Sequence, residues 1–538
     1  MAKFCLTRKK AHEGVRRKSR PDAELQVFRR DKRLEYPQRQ DSVHSHTKTQ
    51  LLEMLSFVGY FALLYLLVGL FFYLWGHPQI LPERKKAGGL QSKGVGDFPS
   101  RHTAHAVQAV AFIINGIPAL KRKVPASLEE LYRAAVKRAF HPRRSFITTG
   151  APHSRAIYPR NYAWFYPCLL DPKSIVDSED AEDRIELLVR GLSIILRNGK
   201  TLPFPTTFIP LTSRRFAAVN YVRQPSDSLL GVLAGIQTLV HAPLAEGTTL
   251  ESAFARARQE GRRLLAENLP ILRFQLESLM ASLAQFTFGG VTTLLIDRDE
   301  SRSSATDTRI ERRRFVTNAN VWATLVKADR LGLLSRVEIE GRIGRSLDEF
   351  KRELLSMFGH EGYIVDSLDV LTAFPARNVT LDFCHVFDGF WSFESDQEMS
   401  IFRNTADLFL KSETLQDDSR HCFLIAADNP NVSFFNRIGA ASYHGRSMWP
   451  TFNVEFADRL IDLHAQQGNI GEHHVAARRI LTQLRAYIET LGFYPEILRA
   501  SGQPYRTWIY RCARADSWFP RLVSVEARLD RIGMRGAG

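Results

Sequence analysis

The feature that most constrains the fold of this chain is a long succession of helical patterns separated by elaborate loops. Apolar residues recur every three to four positions, the spacing that places them on one face of a helix. The predicted helical segments are Leu128–Phe140, Ala181–Arg197, Ser226–His241, Leu250–Phe286, Asn318–Leu333, Val337–Phe358, Leu381–Trp391, Gln397–Leu410, Pro450–Ala465, Gly471–Thr490 and Ser517–Leu529. The pattern therefore predicts an all-α fold.

Strand-like sequence is limited to two short stretches, Gly290–Ile296 and Arg312–Val316, which we expect to pair as a small β-hairpin insertion. The loops between alternate helices are rich in aromatic and polar residues. A chain that alternates long helices with such loops suits a toroid of helical hairpins, in which the loops at one rim form a pocket. Aromatic faces beside polar side chains are typical of sugar recognition.

The composition supports a large globular domain with a distinct N-terminal region. Hydrophobic residues make up 44% of the 538 residues and charged residues 24%, which is ordinary for a protein with a substantial core. The net charge of +16 is uneven, because the first fifty residues carry several Lys/Arg clusters and few acids. We interpret residues 1–50 as a disordered basic tail. An arm that binds nucleic acid is the alternative, and the next segment argues against it.

From Leu55 to Trp75 the chain is almost wholly apolar and contains no charged residue. About 20 such residues are enough for a helix to cross a bilayer, and no signal-peptide cleavage site is evident. We therefore predict a transmembrane anchor over residues 51–77, a linker over 78–100 and the main domain over 101–538. The basic residues before the anchor place the N-terminus in the cytoplasm and the main domain in a periplasm, a lumen or the extracellular space.

The sequence lacks the signatures of several common cofactors. It has no CxxC pair among its five cysteines, no Gly-rich phosphate loop and no HExxH motif. We therefore expect no nucleotide, no catalytic zinc and no other cofactor, and no nucleic-acid partner.

Seven motifs follow one another along the main domain. They are Tyr158-Pro159-Arg160-Asn161-Tyr162-Ala163-Trp164, the stretch Ile185–Phe208, Tyr221-Val222-Arg223-Gln224-Pro225-Ser226-Asp227, Asn318-Ala319-Asn320-Val321-Trp322, Tyr443-His444-Gly445-Arg446-Ser447-Met448-Trp449-Pro450, Gly492-Phe493-Tyr494-Pro495-Glu496 and Arg511-Cys512-Ala513-Arg514-Ala515-Asp516-Ser517-Trp518. Their order resembles that of the six-hairpin glycosidases, with the amylo-α-1,6-glucosidase domain of glycogen debranching enzymes as the nearest parallel and glucoamylase-like enzymes as relatives. The resemblance implies an (α/α)6 toroid and a glycan substrate.

The resemblance also implies which carboxyl groups carry out the chemistry. Glycoside hydrolysis needs one carboxyl group to protonate the leaving oxygen and another to activate water or attack the anomeric carbon. Glu496 matches the position of the general base in the family, and Asp307 matches that of the general acid, with Asp299 in reserve. If these residues have no catalytic role, Glu496 is an ordinary glutamate on a surface loop, and the aspartate belongs to a solvated hairpin tip. The mechanism implied is inversion by single displacement.

The resemblance assigns sugar contacts to residues of several motifs. The predicted substrate-binding residues are Arg160, Asn161, Trp164, Asp227, Trp322, Tyr443, His444 and Trp449. Asn161 departs from the family, which has an aspartate there to hold the terminal sugar, so the sugar recognised here can differ. A structural role is the alternative for His444.

Two other functions fit the same sequence. One is a non-catalytic carbohydrate-binding or glycan-assembly protein that retains the fold, which the departure at Asn161 favours. The other is a polysaccharide lyase on a helical toroid, for which Tyr443 and His444 would supply the acid–base pair. The leading hypothesis is a membrane-anchored glycoside hydrolase that acts outside the cytoplasm.

Overall fold

A computed structural model of the 538-residue chain describes most of the main domain. The residues described are 55–56, 58–60, 62–67, 131, 157–164, 166–172, 175, 177–198, 204, 207–210, 216–219, 226–296, 312–369, 379–384, 390–426, 446–467, 471–505 and 518–535. The chain divides into two compact units, Met1–Phe61 and Ala62–Gly538.

The described part of the second unit is mostly helical. Its α-helices are α1 (Asn161–Trp164), α2 (Ser178–Asn198), α3 (Ser226–Val240), α4 (Glu251–Ala281), α5 (Phe315–Arg330), α6 (Arg336–Ile343), α7 (Leu347–Phe358), α8 (Asp396–Lys411), α9 (Pro450–Gln467), α10 (Gly471–Leu491) and α11 (Phe519–Arg535). Short 3-10 helices span Tyr166–Leu170, Leu381–Cys384 and Glu413–Leu415.

The strands are short and pair two by two, always antiparallel. They are β1 (Thr207–Pro210), β2 (Phe216–Val219), β3 (Leu283–Phe288), β4 (Val291–Ile296), β5 (Arg312–Arg314), β6 (Gly359–His360), β7 (Tyr363–Ile364), β8 (Ser367–Asp369), β9 (Ser447–Met448) and β10 (Leu498–Arg499). The pairs are β1 with β2, β3 with β4, β5 with β8, β6 with β7, and β9 with β10. The prediction of an essentially all-α fold is therefore confirmed at this level.

Three of the helical predictions differ from the structure. The segment Val337–Phe358 is two helices, because Gly344 adopts a left-handed φ of 73° that ends α6, and Ser346 then caps α7 by accepting a hydrogen bond from the Glu349 N–H. Likewise, the segment predicted to run from Leu250 to Phe286 ends at Ala281, and β3 follows. The predicted helix Leu381–Trp391 begins as the 3-10 helix Leu381–Cys384, and Trp391 lies in a turn.

The predicted β-hairpin has the wrong partners. β4 pairs with β3, not with the strand at Arg312, and β5 pairs with β8 instead. Gly289 and Gly290 connect β3 to β4, and both have positive φ values of 57° and 81°. A two-residue turn with positive φ at both positions matches the right-handed twist of a hairpin, so this glycine pair sets the pairing.

Six segments of the described part pack side by side in chain order. Each of α1, α3, α5, the 3-10 helix Leu381–Cys384, α9 and α11 contacts the next one, and α11 contacts the 3-10 helix Tyr166–Leu170, which follows α1. We call these the inner segments. The intervening helices pack against them from the other side, α4 on α3 and α10 on α9.

Side-chain contacts at two of the junctions between inner segments show which ends of these segments lie together. Lys327 Nζ, late in α5, donates to Gln237 Oε1, late in α3, at 2.7 Å. At the closing contact Arg521, near the start of α11, contacts Cys168, and Ser524 Oγ, one turn later, donates to Asp171 Oδ2 at 3.2 Å. The last turns of α3 and α5 therefore lie together, and the first turns of α11 lie beside the 3-10 helix that follows α1.

The sequence-predicted anchor falls largely outside the described residues. Those that are described between Leu55 and Leu67 are helical. Within the described part of the chain, no helix combines the length and the apolar character needed to span a bilayer.

Candidate functional site

The structure joins two of the sequence motifs by direct strand pairing. In the sheet formed by β9 and β10, Leu498 lies opposite Met448 and Arg499 opposite Ser447. β9 belongs to the Tyr443–Pro450 motif, and β10 begins two residues after Glu496. The end of the Tyr443–Pro450 motif and the predicted base therefore lie on adjacent loops, at the start of α9.

The backbone around Glu496 is fixed on both sides. The Trp518 indole N–H donates to the carbonyl oxygen of Pro495 at 3.0 Å, and its ring packs edge-on against Tyr494 with the centroids 5.5 Å apart. After Glu496, the Tyr505 N–H donates to the carbonyl oxygen of Ile497 at 3.2 Å. Glu496 itself is partly buried. Three of the predicted motifs thus meet at the backbone on either side of Glu496, since Trp518 closes the last one.

The first rim motif lies at the start of α1, beside α3. The guanidinium of Arg160 lies over the ring of Tyr158, 5.2 Å from its centroid, and Arg160 is partly exposed. Asn161 is buried at 4% exposure, and its side chain hydrogen-bonds to the phenol of Tyr166. Trp164 ends α1. The amide of Asn161 is therefore engaged with the protein, where the resemblance gave it a role in sugar binding.

Asp227 occupies the first turn of α3, next to the rim motif. Its residue exposure is 1%. The approach of the two elements is very close, because a β-carbon on Gly231 would lie 1.9 Å from the carbonyl oxygen of Pro159. Only glycine allows this contact. Arg160 and Asp227 are consequently held on neighbouring inner segments, near the N-terminus of each.

The two other described tryptophans on the predicted list differ in their surroundings. Trp449 immediately precedes α9, is partly exposed, and packs on Phe452 with the ring centroids 5.9 Å apart. Trp322 is 6% exposed, donates its indole N–H to the carbonyl oxygen of Leu347 at 2.8 Å, and contacts Phe390 edge-on. Trp322 therefore has the environment of a core residue rather than that of a sugar platform, because it faces α7.

Several predicted residues lie outside the described residues. These are Asp307, Asp299, Tyr443 and His444. Their roles remain predictions. The nearest described residues on the chain are Ile296 and Arg312 for the two aspartates and Arg446 for the Tyr-His pair.

A buried ionic cluster that sequence reasoning missed lies at the start of α5. Arg314 Nη2 donates to Asp366 Oδ1 at 2.5 Å and to Asp382 Oδ2 at 2.6 Å, and Thr380 Oγ1 donates to both carboxylates. Burial alone would lower the pKa of Arg314, but the two carboxylates raise it above its usual value. Burial raises the pKa of Asp382 despite the opposing effect of Arg314. This cluster ties α5 to β8 and to the next inner segment.

The side of α5 that faces away from β4 and α7 is polar. Asn318 and Trp322 bond to β4 and to the start of α7, which defines the outer side of the helix. Thr317, Asn320 and Thr324 lie on the opposite side by the 3.6-residue period, and each is 0–1% exposed. Among the described residues, neither amide atom of Asn320 nor the Thr317 hydroxyl has a hydrogen-bond partner. The spacing of three residues between Thr317 and Asn320 was visible in the sequence. The sequence did not show which way this side of the helix faces.

The arrangement supplies a partly buried carboxylate on a fixed loop, with an arginine, a buried aspartate and an aromatic side chain at the N-termini of inner segments. A carboxylate held on a fixed loop can act as a general acid or base when a reacting proton comes within hydrogen-bond reach. Within the described residues, no group of three His, Cys, Asp or Glu side chains is placed to hold a metal ion.

No protein-family model matches the chain, and no curated protein matches it. Among solved structures, a glycosidase in complex with glucose is 13% identical, covering 75% of this chain and 97% of its own, with a TM-score of 0.47. A possible member of the GH105 family from Klebsiella pneumoniae is 11% identical, covering 78% and 98%, with a TM-score of 0.43.

A third similar structure is a metal-independent alpha mannosidase from Streptococcus pneumoniae in a non-productive complex with alpha-1,6-mannobiose. It is 11% identical, covers 74% of this chain and 93% of its own, and has a TM-score of 0.42. At TM-scores below 0.5, these similarities establish neither a family nor an activity for this chain.

Proposed function

We propose that this chain is a glycoside hydrolase built on a six-hairpin (α/α)6 toroid, with Glu496 as its general base. The observation that carries the proposal is the meeting of three motifs at Glu496: β10 pairs with the end of the Tyr443–Pro450 motif, and Trp518 bonds to Pro495. The cyclic order of contacts among the inner segments supports the toroid.

In the proposed mechanism, Asp307 protonates the glycosidic oxygen while Glu496 removes a proton from the attacking water on the opposite face of the sugar. This is single displacement with inversion, which requires the two carboxyl groups to lie roughly 6.5–9.5 Å apart. Arg160, Asp227, Tyr443, His444 and Trp449 surround the sugar.

The direct test follows hydrolysis of a panel of α- and β-linked oligosaccharides by NMR, using the full-length chain in detergent micelles. We expect a product of inverted anomeric configuration. Glu496→Gln should abolish turnover, whereas Glu489→Gln, a matched change on the exposed face of α10, should leave it intact. Full activity in Glu496→Gln would contradict the assignment of the base.

The general acid is tested with a substrate whose leaving group needs no protonation. Asp307→Asn should lose activity on natural glycosides but retain most of it on a glycosyl fluoride, because fluoride departs without a proton from a strong acid. Asp299→Asn serves as the paired variant. If Asp299→Asn alone loses activity on natural glycosides and keeps it on the glycosyl fluoride, Asp299 is the general acid instead.

Membrane attachment is proposed on the sequence of residues 51–77. The described helical residues in this stretch support it, since Leu55, Val58 and Leu63 each expose more than half of their surface. The N-terminus would be cytoplasmic and the main domain periplasmic, lumenal or extracellular. Deleting residues 1–77 should release the chain from membranes during alkaline extraction, and continued retention would refute the anchor.

A non-catalytic glycan-binding protein is the second candidate. The observation that favours it is the engagement of Asn161 with Tyr166 inside the protein. This function predicts glycan binding by calorimetry without turnover of any member of the panel, and binding that survives Glu496→Gln.

A further inference from the structure

Glu496 lies on irregular backbone, in a loop that we define as residues 495–505 and call the base loop. Only Leu498 and Arg499 of this loop belong to a strand. A carboxylate that activates water has to be held within about 0.5 Å of its working position. Since neither a helix nor a long strand does this here, the groups that cross over to the base loop must do it.

A saturated carboxylate stands beside the base loop. Asp417 is 3% exposed and accepts from the Tyr487 hydroxyl at 2.5 Å, from the Ser419 hydroxyl, and from the backbone N–H groups of His421 and Cys422, both at 3.1 Å. A carboxylate offers about four acceptor positions, so Asp417 has little capacity left. A buried network in which every group is bonded is rigid.

The Asp417 network reaches the base loop by two routes. The N–H of Asp418, the next residue, donates to the carbonyl oxygen of Ala500 at 2.9 Å. The ring of Tyr487 lies directly against Gly502, where a β-carbon would be 2.2 Å from the tyrosine Cε1 and where φ is +73°. The same tyrosine therefore touches the base loop with its ring and fixes Asp417 with its hydroxyl.

We propose that Tyr487 and Asp417 are positioning residues that set the placement of the Glu496 carboxylate. This rests on the proposed function, in which Glu496 is the general base. Tyr487 is anchored on α10, a 21-residue helix, and transfers the rigidity of that helix to the base loop. Burial and the hydrogen bond to Asp417 raise the pKa of Tyr487, so its hydroxyl remains a donor across the physiological range.

The test removes a single hydroxyl group. Tyr487→Phe keeps the ring against Gly502, so the fold is retained, but it releases Asp417 from α10. We expect kcat on the best substrate of the panel to fall roughly 10- to 100-fold, the size of effect that a misplacement of about 1 Å produces. KM should change less than about twofold, because the base acts in the transition state and not in substrate binding. The acid limb of the kcat/KM profile, which reports the general base, should shift.

The matched control is Thr490→Val. Thr490 lies on the same helix, is exposed, and donates only to Ala486 of that helix, at 2.7 Å. Its variant should keep the kcat, the KM and the pH profile of the wild type. Asp417→Asn is the second variant: its one remaining carbonyl oxygen still serves the backbone N–H groups, so we expect a loss of kcat in the same direction but smaller.

Each outcome decides the matter. If the wild type is active and Tyr487→Phe matches it in kcat and in the acid limb, the positioning role is refuted while the proposed function stands. A rise in KM with kcat unchanged would also refute it, because that pattern belongs to a substrate contact. If the wild type turns over no glycan, the proposed function falls and this inference falls with it.

Discussion

Replacing Arg314 with methionine tests the buried ionic cluster at the start of α5. Arg314 is 3% exposed, and its partners Asp366 and Asp382 are 6% and 0% exposed, so solvent screens their interaction very little. Methionine fills a similar volume but leaves two buried carboxylates without their cation. Breaking a buried ion pair in this way costs about 3–5 kcal/mol, so we expect a loss of about 4 kcal/mol in the free energy of unfolding at pH 8.

The loss should depend on pH with a defined sign. Burial holds the folded-state pKa of Asp382 above its usual value even with Arg314 present, and removing Arg314 raises it further. A carboxyl group whose pKa is raised in the folded state destabilises the fold while it is ionised. Protonation removes this cost, so the variant regains stability as pH falls. Each pH unit below the raised pKa recovers at most about 1.4 kcal/mol.

The assay is denaturant unfolding of wild type and variant between about pH 8 and pH 5. Arg263→Met is the matched control, because Arg263 also pairs with two carboxylates, Glu260 and Glu267, but is 44% exposed. That variant should lose no more than about 1 kcal/mol and show no such recovery. A difference between wild type and Arg314→Met that stays constant with pH would refute the reasoning.

Three further predictions concern Asn320, Trp518 and Asp458. Asn320→Leu should raise the melting temperature, since it removes a buried amide that has no hydrogen-bond partner among the described residues, whereas Asn318→Leu should lower it, because that amide bonds to Ile296 and Arg314. Equal shifts in thermal denaturation would contradict this. Trp518→Phe should reduce kcat more than KM while the chain stays folded by circular dichroism, since it frees the Pro495 carbonyl beside Glu496; unchanged turnover would exclude that role. Burial alone would raise the pKa of Asp458, but Arg521, Arg459 and Arg528 lower it to about 2, so its stabilisation of about 2 kcal/mol is present above the unfolded pKa and lost as pH falls from about 4 to 2. Asp458→Asn should flatten acid unfolding in that range, and an unaltered slope would count against the cluster.

The local patterns in the sequence predicted many of the helices. Helices such as α2, α3, α8 and α10 lie within a few residues of their predicted bounds, because the apolar period is a local property. Some local signals were present but overlooked. The glycine at position 344 and the serine at 346 mark a helix end and a helix start, and the Gly289-Gly290 pair marks a hairpin turn.

The sequence by itself determined which motifs occur and in which order, and the resemblance of those motifs to a known family predicted Glu496 as the base. It could not determine which distant segments touch. That β10 pairs with β9, that Trp518 bonds to the carbonyl before Glu496, and that Asp418 bonds to Ala500 in the base loop all depend on residues far apart in the chain. The burial of Arg314 between two aspartates belongs to the same class. Such contacts form only when packed helices bring their ends together, so only the tertiary structure decided them.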